Sequence, residues 1–98
     1  MAAAPITEKF AKALDSKFES HSVSTTSGRK FDRVVISHPH APLNASVHCF
    51  VERETGNIMK AAGWKAPAKD ARFNISTDAG FADTVELADP YGSYLYKR

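Results

Sequence analysis

The chain is poor in cysteine, in long apolar runs and in net charge, and each shortage excludes a class of protein. Its 98 residues include one cysteine, so no internal disulfide can form and a reducing compartment is expected. No apolar run approaches the ~20 residues that cross a bilayer. The start, MAAAPITEKF, lacks the charged and apolar regions of a secretory signal. The sequence therefore predicts a soluble intracellular protein without membrane association.

The small net charge and the scattered glycines exclude two more classes. A formal charge of +2 is too low for a general basic field around the protein. The five glycines form neither a dinucleotide-binding fingerprint nor a phosphate loop. Hydrophobic content of 43% and charged content of 24% are typical of a folded chain. A chain of this length has one core, so we expect residues 1–98 to form a single small domain.

The N-terminal segment has the apolar spacing of an amphipathic helix. Large apolar residues recur every four positions, at Ile6, Phe10, Leu14 and Phe18, and charged residues lie mostly on other faces. Pro5 suits the first turn of a helix. The pattern predicts a helix over residues 5–20 whose apolar stripe must pack on another layer.

Alternating patterns after this helix predict strands. HSVSTTSGRKFDRVVISHP reads as two strands joined near Gly28. In the second of these, Phe31 and Arg33 alternate with Asp32 and Val34. The sequence HPHAPLN follows, and its two prolines indicate a loop because proline cannot donate a hydrogen bond to a strand ladder.

A second hairpin is predicted from the segment that follows this loop. ASVHCFVERE reads as a strand in which Cys49 alternates with two valines and is expected to be buried. Gly56 in ETGN suits the left-handed conformation of a tight turn. Residues 57–63 are then expected to return as a fourth strand, antiparallel to the third.

The last third of the chain is predicted to hold a short helix, a loop and a terminal strand. Residues 67–73 begin with proline and suit two helical turns. STDAGFADTVELADP reads as a long loop with a short strand or helix near residues 84–87. In GSYLYK, two tyrosines alternate with Leu95, which indicates a last strand. The fold class is therefore α+β: an N-terminal amphipathic helix packed on an antiparallel sheet of four to five strands, with a short helix after Pro67.

The stretch GNIMKAAGWKAPAKDARFNI contains the only tryptophan and four basic residues. If residues 67–73 are helical, Lys65, Lys69 and Arg72 have nearly the i, i+4, i+7 spacing of one helix side. An indole offers a surface on which a base can stack, and the cations can meet phosphates. The predicted nucleic-acid-binding residues are Lys60, Trp64, Lys65, Lys69 and Arg72, extended by Arg29 and Lys30 at another hairpin.

A structural interpretation of the same stretch stays open. Tryptophan is highly buried on average. Trp64 can therefore fill the core, and the lysines around it would then be solvated. Residues 76–90 contain four acids and no base, so they can neutralise the preceding basic segment within the fold. In either case the stretch would carry no binding function.

The histidines and the single cysteine could form a metal site, or the cysteine could act as a catalytic nucleophile. His38, His40, His48 and Cys49 lie within twelve positions. On a regular strand, His48 and Cys49 face opposite ways and cannot easily share an ion, so His48 is expected to be exposed. A cysteine buried among valines lacks the electropositive setting of a reactive thiol. We therefore expect no metal, no cofactor and no catalytic residue.

The order of motifs resembles small uncharacterised proteins of tailed bacteriophages. The similar residues are the GNI, KAA, WK, PAK, Arg72 and NI elements of residues 56–75. The segments GRKFDRVV and SVHCFVE and the end YLYKR are also similar to such proteins, so the resemblance covers roughly residues 28–75 and the tail. It implies a phage origin and the cytoplasm of an infected bacterial host, and it implies no activity.

These observations predict a non-enzymatic phage accessory protein. The first hypothesis is weak nucleic-acid binding through the basic and aromatic residues named above. The alternative is a protein-interaction module that binds a bacterial host protein or self-associates, through a sheet edge or through the end that carries Tyr91, Tyr94 and Tyr96.

Overall fold

In the part of the chain that the structure describes, the protein has two α-helices, one short 3-10 helix and five strands. A computed structural model describes the backbone of residues 3–19, 21–38, 41–63, 66–90 and 92–95, and their side chains except at 38, 41–44 and 69. In chain order the elements are α1 (Pro5–Lys17), β1 (Ser22–Thr26), β2 (Phe31–His38), β3 (Ala41–Glu52), β4 (Asn57–Ala61), β5 (Pro67–Asn74), α2 (Asp78–Leu87) and a short 3-10 helix (Ser93–Leu95). The predicted α+β class, the N-terminal helix and the antiparallel sheet are confirmed.

The strands form one antiparallel sheet in the order β1-β2-β3-β4-β5, so each strand pairs with its neighbours in the sequence. Both helices pack on one face of it, where the rings of Phe10 in α1 and Phe81 in α2 meet edge to face at 6.0 Å. The core between the layers contains Phe10, Leu14, Phe18, Val34, Ile36, Cys49, Val51, Ile58, Ile75, Ala88 and Leu95. The helices and this sheet face therefore bury each other's apolar surface, as two packed layers must.

The expectation of a helix over residues 67–73 is wrong, because this segment is strand β5. It pairs with β4 through Asn57–Asn74, Ile58–Phe73 and Met59–Ala71. The second helix lies later, where the Thr77 hydroxyl caps it by accepting a hydrogen bond from the Gly80 amide at 3.0 Å. Pairing with β4 satisfies the backbone groups on one side of β5 and buries Phe73 in part, and this tertiary gain overrides a local helical preference.

Two further expectations about the chain need correction. The segment around Tyr94 forms the short 3-10 helix in place of a last strand, and residues 96–98 lie outside the described part. Strand β3 begins at Ala41, paired with His38, so Pro42 lies within the strand; residues 39 and 40 are outside the described part. The turn at Gly56 is confirmed by a φ of +77°.

Gly80 in α2 gives a stability prediction, because a Cβ atom there would lie 2.2 Å from the backbone oxygen of Asn74 in β5. Replacement of a glycine within a helix by alanine normally raises the free energy of unfolding by up to ~1 kcal/mol. Here the replacement must push α2 away from β5. We expect Gly80→Ala to lower the free energy of unfolding by about 1–3 kcal/mol in urea denaturation.

Gly63 is the matched control for this substitution. A Cβ added at Gly63 meets no atom within 4 Å, so Gly63→Ala should change stability by less than about 0.5 kcal/mol. If Gly80→Ala is as stable as the wild type, α2 does not approach β5 as closely as the structure indicates.

Candidate functional site

Two of the predicted basic residues near the β4–β5 connection, Lys60 and Arg72, make hydrogen bonds within the fold. The Arg72 guanidinium donates from Nε to the carbonyl oxygen of Leu95 and from a terminal nitrogen to that of Asp70, both at 2.7 Å. Arg72 therefore ties β5 to the 3-10 helix. Lys60 is half-buried in β4, with its ammonium 3.4 Å from the carbonyl oxygen of Ala61.

The structure does not describe the side chains of Trp64, Lys65 and Lys69, which complete the predicted surface. Trp64 and Lys65 are outside the described residues, and for Lys69 only the backbone, in β5, is described. The helical spacing proposed for Lys65, Lys69 and Arg72 is wrong, because residues 67–74 are extended. Whether Trp64 stacks on a base or fills the core stays a prediction.

Arg29 and Lys30 do not continue that surface locally. They are exposed in the β1–β2 turn, next to Phe31, and Phe31 pairs with Glu52 at the sheet end that holds the β3–β4 turn. The 62–66 connection follows Ala61 at the opposite end. The length of β4 separates the two ends, about 13–17 Å at ~3.3 Å per residue.

The sheet face away from the helices carries an apolar cluster that the sequence did not single out. Because side chains alternate along a strand, Phe31, Arg33 and Val35 lie on the face opposite Val34 of the core. Phe50 pairs with Arg33, and Met59 pairs with Phe50, so they share that face. We call this the open face, since both described helices pack on the other side. Phe50 is 2% exposed, whereas Phe31 and Met59 are half-buried.

Cations lie over the aromatic rings of the open face. The rings of Phe31 and Phe50 meet edge to face at 6.3 Å. The Lys30 ammonium lies 5.6 Å from the centre of the Phe31 ring, and the Arg33 guanidinium lies 5.8 Å from that of Phe50. Such distances suit the attraction between a cation and the negative face of a ring. Positive charge and aromatic surface are therefore combined at the β1–β2 end of the face.

Charge is divided unevenly between the two layers. Residues 5–19 and 76–90, which hold the helices, contain seven acids and three bases, whereas the described segments of the sheet layer, residues 21–38, 41–63 and 66–74, contain four acids and seven bases. One of these acids, Glu52, lies beside Phe31, and its carboxylate is 3.7 Å from the Lys30 ammonium. A hydrogen bond from Thr55 lowers the pKa of Glu52, and Lys30 adds to this effect. The sheet layer is basic despite this acid.

His48 is buried, which corrects the expectation of an exposed strand histidine. Val34 pairs with Cys49 and Val35 with Val47, so His48 is the extra residue of a β-bulge. Its ring packs on Phe18 and shares a 2.7 Å hydrogen bond with the Tyr94 hydroxyl. The bulge therefore places His48 and Cys49 on the same, helix-bearing face, contrary to the alternation expected of a regular strand.

The chemistry of this buried pair is that of a core. Burial lowers the pKa of His48 from 6.5 to about 4, an effect partly offset by Asp89, and burial raises the pKa of the Cys49 thiol. A thiol that stays protonated is a poor nucleophile. Among the described residues, no group of three or more His, Cys, Asp and Glu side chains is placed to hold a metal. The absence of a metal, a cofactor and catalysis stays a prediction.

The comparisons with known proteins identify a family and give no activity. No helix in the described part of the chain is long and apolar enough to cross a membrane. No curated protein and no solved structure matches the chain. The resemblance to tailed-phage proteins, and the infected bacterial cytoplasm that it implies, stay predictions. A family model matches residues 3–97, almost the whole chain, and the protein therefore belongs to the family of unknown function DUF7717.

Proposed function

We propose that the protein is a non-enzymatic module that binds single-stranded nucleic acid across the open face of its sheet. The observation that carries this proposal is the Phe31–Phe50 ring pair with Lys30 and Arg33 over it, on the face that neither described helix covers. Single-strand recognition combines stacking on aromatic rings with a cationic path for the backbone. The resemblance to phage proteins supports an accessory role in an infected bacterium.

The roles of the open-face residues follow from their positions. Phe31 is half-buried, so one ring surface is available once the flexible Lys30 side chain moves aside. A base stacked on a ring gains about 1–3 kcal/mol. Arg29 and Lys30, exposed in the adjoining turn, then meet phosphates, which supply most of the affinity in non-specific binding. Phe50, almost fully buried beneath them, fixes the orientation of Phe31.

The proposal predicts weak, salt-dependent binding that requires the β1–β2 end of the sheet. A fluorescein-labelled oligothymidylate measured by anisotropy should bind the wild type and lose affinity steeply between about 50 mM and 200 mM salt. The double variant Arg29→Glu/Lys30→Glu should bind at least ~10-fold more weakly at the lower salt concentration. Phe31→Leu keeps an apolar side chain but loses the ring, and it should weaken binding by about 5- to 100-fold, the equivalent of one stacked base.

A matched control reverses the same amount of charge on the other layer. Lys9 and Lys12 are exposed on α1, and Lys9→Glu/Lys12→Glu should leave affinity within about threefold of the wild type. If both double variants weaken binding equally, only total charge matters and the open face is not the site. If the wild type shows no saturable binding at low salt, the proposed function is wrong.

A third variant tests the surface predicted around the β4–β5 connection. Lys60→Ala/Lys65→Ala/Lys69→Ala removes its three lysines and leaves the structural Arg72 in place. If this variant alone loses binding, the nucleic acid lies at the connection and the open-face assignment is wrong. If it retains binding while Arg29→Glu/Lys30→Glu does not, the open face is supported.

A further inference from the structure

We infer that a groove beside α2 binds a basic segment of a partner protein, with an apolar side chain of that segment seated between cations. The groove lies between α2 and the end of β5, has a volume of about 400 Å³, and is lined by residues that include Phe73, Gly80, Asp83, Glu86 and Leu87. It is independent of the proposed nucleic-acid site, since α2 lies on the opposite side of the sheet from the open face.

The groove exposes apolar side-chain surface to solvent. Leu87 is 58% exposed, and it is the large hydrophobic residue that the described structure leaves most open to solvent. Phe73, which also lines the groove, is half-buried. A partner side chain placed here would take apolar surface of both residues out of water, which is the usual driving force of a protein contact.

Charge complementarity defines the partner. Asp83 and Glu86 line the groove beside Leu87, and residues 76–90 contain four acids and no base. Two cations of α1 contact α2. Lys17 donates to the carbonyl oxygens of Val85 and Glu86 at 2.6 and 2.5 Å, so its ammonium is held at the end of α2, and the Lys9 ammonium lies 4.9 Å from the centre of the Phe81 ring. An acidic rim repels nucleic acid and attracts lysine and arginine. The chemistry therefore fits a basic, partly apolar peptide segment.

The sheet edges are less suited to the same task. In β1, the Val23 amide donates to the Asp15 carboxylate at 3.0 Å, which occupies a backbone donor that an added strand would need. In β5, Asp70 has a φ of +69° and the register shifts twice. Bulges, kinks and charges of this kind discourage edge pairing. A side-chain contact in the groove, rather than strand addition, is therefore the mode of binding that we propose.

A synthetic peptide probe tests the inference directly. A short fluorescein-labelled peptide of alternating leucine and lysine should bind saturably, while the same peptide with glutamate for lysine, or with serine for leucine, should bind at least ~10-fold more weakly. The double variant Asp83→Lys/Glu86→Lys should lose at least ~10-fold in affinity for the lysine peptide and gain affinity for the glutamate peptide. Leu87→Ser should weaken binding of the lysine peptide without reversing the charge preference.

The control is a variant that reverses two exposed acids elsewhere. Glu19→Lys/Glu54→Lys should keep the lysine peptide within about threefold of the wild-type affinity. Equal losses in the two double variants, or binding that Leu87→Ser leaves unchanged, would overturn the groove assignment. If sedimentation shows that the wild type is a dimer and Leu87→Ser a monomer, the occupant is a second copy and the partner assignment is wrong. Oligothymidylate binding should be retained in Leu87→Ser, so failure here is separable from failure of the proposed function.

Discussion

Replacement of Asp32 by alanine is expected to lower the free energy of unfolding by about 3–5 kcal/mol, among the largest effects of any single substitution in the chain. The Asp32 side chain is fully buried and accepts three hydrogen bonds. They come from the Ala4 amide at 2.9 Å, the Thr7 hydroxyl at 2.8 Å and the Arg53 guanidinium at 2.6 Å. Alanine would remove the acceptor that the Ala4 amide, the Thr7 hydroxyl and the Arg53 guanidinium share.

The size of the effect follows from what this carboxylate does for α1. The helix begins after Ala4, which has no side-chain oxygen to cap it. Asp32 in β2 holds the helix start in another way, by accepting from the Ala4 amide and from the Thr7 hydroxyl, and its negative charge lies at the positive end of the helix dipole. The same carboxylate pairs with Arg53, which lies just beyond β3. One side chain therefore joins the first turn of α1 to two parts of the sheet.

Urea denaturation monitored by circular dichroism measures this effect, and hydrogen exchange locates it. The amide of Ala4, which donates to Asp32, and the amide of Glu8, which donates to the Ala4 carbonyl oxygen, should lose protection in Asp32→Ala before the strands do. Thr7→Val removes one donor with little change of shape and should cost only about 1 kcal/mol. Glu54→Ala, at an exposed carboxylate, should change stability by less than about 0.5 kcal/mol. A loss below 1 kcal/mol in Asp32→Ala would mean that the carboxylate does not organise the helix start.

Helix α1 and the turn at Gly56 were predicted correctly because their signals lie within a few consecutive residues. The four-residue recurrence of Phe10, Leu14 and Phe18 predicted α1, because a helix that packs on a sheet must repeat its apolar side at that period. The glycine in ETGN predicted the turn at Gly56 for a similarly local reason. The alternation that places Asp32 on the same side of β2 as Val34 was also visible in the sequence, but its burial was established only by the structure.

The misassigned segments depend on contacts that are distant in the chain. Residues 67–74 contain alanine, lysine and arginine, all good helix formers, yet they pair with β4 as a strand. Their local preference of a few tenths of a kcal/mol per residue is smaller than the gain from sheet pairing. Helix α2 has weak apolar periodicity, and the capping threonine at position 77 was the signal that could have placed its start.

The sequence could predict which residues of the open face share one side of β2, but it could not predict that the helices leave this side uncovered. Alternation places Phe31 and Arg33 on one side of β2, but it does not say which side the helices cover. That choice depends on where α1 and α2 dock, through contacts such as Phe10 with Phe81, far apart in the chain. Composition drew attention to the basic run around Trp64, whereas the open face becomes visible only when the sheet is assembled.

His48 gives the second large prediction, which concerns the pH dependence of stability. Its pKa is about 4 in the folded protein against an ordinary value of 6.5, since burial against Phe18 and Tyr94 disfavours the charged ring. Between these values the unfolded chain takes up a proton that the folded protein excludes. Stability should therefore be unaffected by this group above pH 6.5 and should fall as the pH drops towards 4. The total loss is about 3 kcal/mol, at ~1.4 kcal/mol for each unit of pKa.

Urea denaturation at several pH values between 7 and 4.5 measures this slope, and His48→Gln isolates its cause. Glutamine can still accept a hydrogen bond from the Tyr94 hydroxyl but does not titrate, so the variant should lose most of the slope whatever its own stability. Glu52, whose pKa is lowered chiefly by the hydrogen bond from Thr55, is present in both proteins, so its contribution cancels when the two slopes are compared. If wild type and His48→Gln lose stability in parallel over this range, the imidazole is hydrated in solution. The β-bulge would then fail to carry His48 into the core, and the packing of the 3-10 helix against β3 would have to be revised with it.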